Sequence, residues 1–353
     1  MHLHEALFFL GFLCFILFFL YLDLKVAGKN DHELSFKEAL TWTSIWVALA
    51  LLFLVFLRFY GDIIHGVSDK EGVQDLITRY SHSLDVSSPA ITDATALQMY
   101  RSNLSLEYLT GYLIEYSLSV DNVFVMILIF TGFGIHQKYY KRILFWGILG
   151  ALIMRFLFIF LSAALIQHFE WVLYIFGAFL VFTGVQMFRE RNKEKKIHTH
   201  DHPVVKFTSR IFYVKKDYQG HNFIVRDSGK FYLTPLLIVL LVIEFTDLVF
   251  AVDSVPAIFA VTKDPYIVFF SNIFAILGLR SLFFVVSNVM NKFSYLKEGL
   301  SILLTFIGVK MLIVMFHIKI PTYISLLVIV GILLISVLAS VFFPKPVRNN
   351  SAS

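Results

Sequence analysis

The sequence predicts an all-α polytopic membrane protein with about nine transmembrane helices, six of them arranged as two inverted three-helix repeats. Three observations lead there. Hydrophobic residues make up 58% of 353 positions and charged residues only 16%, with a mean hydropathy of +0.75. A soluble domain of this size cannot hide so much apolar surface, whereas a bilayer accepts it. Nine apolar stretches have close to, or more than, the ~20 residues that cross a hydrocarbon core. They lack the alternation of barrel strands, so they are helices. Finally, three short segments recur in the same order in the two halves of the chain.

Residues 1–60 hold two spans, at 6–24 and 40–60. The first lacks a basic n-region and a small-residue cleavage site, and Asp23 and Lys25 follow it, so it reads as a retained span. Residues 61–105 form a polar insert with the turn signal SSPA at 87–90. The first repeat, 106–188, contains spans at 106–130, 143–166 and 170–188. A basic loop at 189–230 opens with RERNKEKK and continues through HTHDH at 198–202, whose histidines read as a solvated loop. Its KFTSRIFYV and NFIVRDSGK pieces suggest a short hairpin. The second repeat, 231–317, contains spans at 232–262, 265–290 and 298–317. A final span at 321–343 lies in 318–353 and precedes a short tail.

Lys and Arg in the connections set the orientation. One side receives 21 of them, the other 5, which places the N-terminus outside and the C-terminus in the cytoplasm. The basic residues therefore speak for membrane topology, not for nucleic acid. Cys14 is alone, so no intrachain disulfide can form.

The repeat is visible without gaps at its start. Glu115-Tyr-Ser-Leu-Ser-Val-Asp121-Asn-Val matches Asp247-Leu-Val-Phe-Ala-Val-Asp253-Ser-Val. ILGALIMR ending at Arg155 matches IFAILGLR ending at Arg280, and Gly184-Val-Gln-Met187 matches Gly308-Val-Lys-Met311. The last two markers are 29 residues apart in one copy and 28 in the other. Each unit has three spans, so the second enters from the opposite face. Inverted repeats of this kind place substrate near the midplane in secondary transporters.

The candidate site residues are Glu115, Asp121 and Asn122 in the third span, with Glu244, Asp247, Asp253 and Ser254 in the sixth. Each acid at the bilayer centre costs roughly 2.5–3.5 kcal/mol on insertion scales. Arg155 and Arg280 cannot balance five ionised acids. They read either as charge partners or gates that balance the acids when no cation is bound, or as helix-end residues that snorkel. Acids six residues apart point about 120° away from each other on an ideal helix. Two crossing helices could still surround one cavity, or a helix could unwind. Pro256 favours a helix break in the second copy, because it cannot supply an N–H to the Val252 carbonyl. Carboxylate, amide and carbonyl oxygens are hard ligands suited to Mg²⁺, Ca²⁺ or Mn²⁺. Lys310 is expected at the membrane interface.

At these residues the chain resembles a known family. TGYLIEYSLSVDNVFVM (110–126), RILFWGILGALIMR (142–155), VIEFTDLVFAVDSVPAIFAVTKDP (242–265) and IFAILGLRSLFFV (273–285) resemble the TerC/Alx family of integral membrane proteins. The resemblance implies a transporter-like fold in a bacterial-type cytoplasmic membrane. It also implies a role in metal homeostasis, with Mn²⁺ efflux as the activity and tellurite resistance as the phenotype that named the family. The seven polar residues above match the family's intramembrane positions; the insert at 61–105 departs from many members.

The expectation is a divalent-metal transporter rather than an enzyme, with Mn²⁺ as transported substrate and no tightly bound cofactor. Its partners are the lipid bilayer, the metal ion and protons, since a dication displaces protons from clustered acids. No G-x-x-x-x-G-K-[ST] motif appears. The alternative is a membrane scaffold of a metal or tellurite stress-response complex without transport of its own. A paired-aspartate intramembrane hydrolase ranks third.

Overall fold

The computed structural model describes residues 3–27, 35–82, 84–169, 171–190, 203–215, 220, 222–227, 229–289, 295–316, 318 and 320–343. Side chains of 3, 22–27, 121, 203, 289, 296 and 297 lie outside the description, as do the HTHDH tract and most of the RERNKEKK run.

Among the described residues, eight helices are long and apolar enough to cross a membrane, and a bent pair makes nine. They are α1 (Leu3–Ala27), α2 (Phe36–Tyr60), α4 (Asp93–Gly132), α5 (Tyr140–His168), α6 (Trp171–Arg189), α8 (Pro235–Phe259), the pair α9 (Pro265–Leu277) and α10 (Leu279–Val289), α11 (Leu296–Ile313) and α12 (Thr322–Phe342). Two shorter helices, α3 (Lys70–Tyr80) and α7 (Pro203–Ile211), lie in the connections. All nine expected spans are present. Large apolar side chains such as Leu52, Phe182, Leu327 and Ile335 face outward, as a lipid surround requires.

Local chemistry sets the ends. Ser35 and Glu38 form a capping box at the start of α2. Thr92 caps α4 by accepting from the Thr95 N–H, so this helix begins at Asp93, well before the expected boundary at 106. A helix that extends beyond its apolar stretch need not be apolar there, and hydropathy does not register Asp93 and Arg101 as helical. The insert is correspondingly shorter. Its α3 is capped by Asp69 and packs Val73, Leu76, Ile77 and Tyr80 inward.

The expected helix break moves. α8 runs through Pro256 and ends at Phe259, so Pro256 does not unwind it. The proline falls in the last turn, where the Ala260 N–H still reaches the Pro256 carbonyl at 3.1 Å and closes the helix end. The interruption lies instead in the seventh span, where α9 and α10 meet at Gly278 with a bend of 48°.

In the connection after α6, the KFTSRI segment belongs to α7 rather than to a strand. Thr208 and Ser209 turn their hydroxyls back onto the carbonyls of Val204 and Val205 and satisfy themselves within the helix. The hairpin is β2 (Ile224–Asp227) with β3 (Lys230–Leu233), antiparallel around Gly229. β1 (Tyr213–Val214) pairs with β3 in parallel, giving the order β1-β3-β2.

Elements that the repeat equates pack on each other: α4 on α8, α5 on α9 and α6 on α11. The α6–α11 contact is backbone-close. A Cβ at Gly308 would stand 2.7 Å from the Gly177 carbonyl oxygen and 2.7 Å from the Val181 nitrogen. Small residues at a membrane helix crossing allow this approach, which repays its tightness in dispersion contact. At the centre is α9, buried at every position from Pro265 to Leu277 and packed on α2, α4 and α5.

Candidate functional site

Where α4, α5, α8 and α9 meet, one cation holds the centre. Arg155 of α5 is 1% exposed. Its Nη1 donates to Glu115 Oε1 of α4. Its Nη2 and Nε donate to the two oxygens of Asp247 of α8, at 3.2 and 3.4 Å. Nη1 also reaches Asn272 Oδ1 of α9 at 3.0 Å and Ser254 Oγ at 3.4 Å, while the Asn272 amide donates to Glu115 Oε2 at 3.0 Å. Arg155 therefore does not snorkel. The planar fork of a guanidinium suits this arrangement, since it offers several donors in fixed directions.

Helix periodicity sorts the other polar residues. Asp247 and Ser254 are seven apart on α8 and share a face, as do Glu115 and Asn122 on α4. Asp253 points about 120° away from Asp247 and is half-buried. Asp121 belongs to α4, but its side chain lies outside the described residues. Asn122 is buried with its Nδ2 unpartnered. Glu244, one turn before Asp247, buries Oε2 without a partner. Its carboxyl lies against Gly150 of α5, where any Cβ would overlap it. Gly150 thus provides the space that Glu244 occupies. Gly150→Ala is expected to displace that carboxyl and cost about 1–3 kcal/mol of stability, read as a lower unfolding temperature that Glu244→Ala partly restores.

Arg280 of α10 is buried and engaged, while the Arg155 cluster takes its partners from α4, α8 and α9. Among the described residues, no three His, Cys, Asp or Glu side chains are grouped to hold a metal ion. Between Glu115 and Asp247, the positive charge is the guanidinium.

The model of the integral membrane protein TerC family matches residues 100–348, more than half of the chain and all of the cluster. The chain belongs to the TerC family. An uncharacterized membrane protein of Myxococcus xanthus, STKORF319, is 43% identical over 94% of this chain and 90% of its own. "Putative membrane-bound redox modulator Alx" of Salmonella typhi is 42% identical over 92% of this chain and 91% of its own, and the Escherichia coli K12 protein of the same name is 40% identical over 92% and 91%. No solved structure gives a significant match.

In this TerC protein, sequence reasoning missed Asn272, which joins the cluster from α9. The available signal was an amide inside a predominantly apolar span, eight residues before Arg280. Lys310, in the last turn of α11, is not exposed at the protein surface. It is 7% exposed and lines a cavity of about 280 Å³ with Ser81, Tyr174 and Lys263, which shares no residue with the Arg155 cluster.

Proposed function

We propose that this TerC protein is a secondary transporter of divalent metal cations that exports Mn²⁺ in exchange for protons. The observation that carries the reading is the Arg155 cluster. Glu115 and Asp247 occupy equivalent positions in the two repeat units, and one guanidinium bridges them inside the membrane domain. A dication needs the same oxygens: the two carboxylates, Ser254 Oγ and Asn272 Oδ1. All are hard donors of the kind Mn²⁺, Mg²⁺ and Ca²⁺ accept.

Arg155 and the ion thus compete for one set of ligands. When the ion leaves, Arg155 returns and keeps two buried carboxylates neutralised; when the ion binds, the guanidinium is displaced. Asp121 and Asp253, on the next faces of α4 and α8, would supply further charge to offset a dication or accept protons. Inverted repeats support alternating access, and the Lys and Arg distribution supports an outside N-terminus in a bacterial-type cytoplasmic membrane.

Mn²⁺ flux in sealed proteoliposomes tests this. Wild type is expected to move Mn²⁺ faster with an opposing pH gradient, while Asp121→Asn, Asp247→Asn and Asp253→Asn are expected to lose flux at least tenfold with folding intact. Unchanged flux in all three variants would sink the proposal.

A scaffold reading has one observation in its favour. The described part of the connection between α6 and α8 forms α7 and the small sheet and exposes Phe207, Ile211, Phe212 and Phe231. No wild-type flux, with cellular function lost on deleting 203–227, would favour it.

A further inference from the structure

The end of the bundle where α1 begins and α2 ends contains a second buried polar group that the transport reading leaves unused. His65 follows a short 3-10 turn after α2, and its ring is fully buried. Its Nδ1 lies 2.9 Å from Glu5 Oε1 of α1, and its Nε2 lies 2.9 Å from Asp264 Oδ2 at the N-cap of α9. An imidazole nitrogen and a carboxylate oxygen at this separation need a proton between them, because two facing lone pairs repel. Two such contacts need two protons. A neutral ring carries one, so the second makes the ring an imidazolium or sits on a carboxyl. With both nitrogens engaged, the ring has no lone pair left for a metal.

We infer that Glu5, His65 and Asp264 form a proton-binding site, and that the two protons it holds fasten α1, the insert and the start of α9 together. These elements are far apart in sequence, and His65 joins them. Asp264 also accepts from the Tyr266 N–H and so anchors the first turn of α9.

The surrounding groups favour the protonated form. Tyr80 of α3 and Tyr266 of α9 place their rings 5.4 Å from the imidazole, and the Tyr266 hydroxyl donates to Glu5 Oε2 at 3.4 Å. Arg79 of α3 approaches Glu5 at 3.9 Å from a partly exposed position. From α4, Glu107 pairs with His82 at 2.9 Å, and Tyr100 packs its ring against His82. The acids outnumber Arg79. Burial works against charge on His65, but Asp264 and Glu5 outweigh it and raise the imidazole from 6.5 to about 9. Burial likewise pushes the Asp264 carboxyl up, and His65 more than reverses this. Loss of a proton at alkaline pH leaves a lone pair facing a carboxylate, and the fastening opens.

This site stands whether or not the protein moves metal. The test is amide hydrogen exchange of the full chain in nanodiscs between pH 6.5 and 10, scaled for intrinsic exchange. Segments 62–80 and 262–268 are expected to stay protected to about pH 8 and exchange at least tenfold faster by pH 10, while α6 and α11 remain unchanged. His65→Gln is expected to remove this step. If that variant does not fold, Asp264→Asn decides: its step should begin at least one pH unit lower. A flat wild-type profile, a step that survives in folded His65→Gln, or an unmoved step in Asp264→Asn overturns the inference.

Discussion

Arg155→Met is expected to destabilise the folded protein by about 3–5 kcal/mol, the cost of leaving buried charge unpaired when one partner of an ion pair is removed. The guanidinium is the shared partner of Glu115, Asp247, Ser254 and Asn272. Methionine replaces its volume but none of its donors. Two carboxylates are then left facing each other in a domain that excludes water, and Asn272 keeps only its bond to Glu115. The comparison that isolates charge from packing is the triple variant Arg155→Met/Glu115→Gln/Asp247→Asn. It should regain most of the unfolding temperature lost by Arg155→Met, because the surviving groups are neutral and can bond among themselves. If the single and triple variants melt together, the cluster's contribution is packing, and competition between Arg155 and a metal ion loses its energetic basis.

Thermal stability is also expected to decline as pH rises from about 6.5 to 9, by on the order of 3 kcal/mol. His65 has a folded value of about 9 against an ordinary 6.5, so above 6.5 the folded state binds a proton that the unfolded chain has released. Its contribution is complete below 6.5 and gone above 9. His82 adds to the same limb: burial opposes its charge, but Glu107 raises it. Asp264 acts at the opposite end. Its carboxyl is held below the ordinary 3.8, so its contribution is present above that value and lost as pH falls through the folded one. Melting curves over pH 6.5–9.5 should flatten in His65→Gln/His82→Gln. An equally steep decline in the double variant would assign the alkaline limb to other groups.

The spans were legible in the sequence because hydropathy reports what lipid contacts. All nine appear, and the acids singled out on α4 and α8 include both that grip Arg155. What escaped was what hydropathy does not report. The first turns of α4 are polar because they lie beyond the apolar stretch, so their helix had to be read from the Thr92 cap. Gly278 breaks a span whose hydropathy stays high on both sides, whereas Pro256, the more obvious breaker, sits where the helix is about to end. His65 is one of two histidines in a polar insert; only folding brings Glu5 and Asp264 to its two nitrogens. Asn272 was one amide among apolar residues. The choice between gate and snorkel for Arg155 depended on depth, which local sequence does not encode.

The regular spacing of two helices adds an electrical consequence. Glu107 and Glu115 are eight residues apart on α4, and Asp264 and Asn272 are eight apart on α9, so each pair is separated by about 12 Å along its axis. The two helices pack side by side and run in the same direction between the histidine cluster and the Arg155 cluster. The layer between them is built from Tyr108, Tyr112, Phe269 and Phe270, all buried. Such a layer acts as the dielectric of a small capacitor whose plates are the two clusters. One unit of charge gained or lost on one plate changes the energy of a charge on the other by about 1 kcal/mol at an effective dielectric constant near 20. Ions in solution cannot enter that gap to screen it, so each cluster registers the charge state of the other without any helix moving.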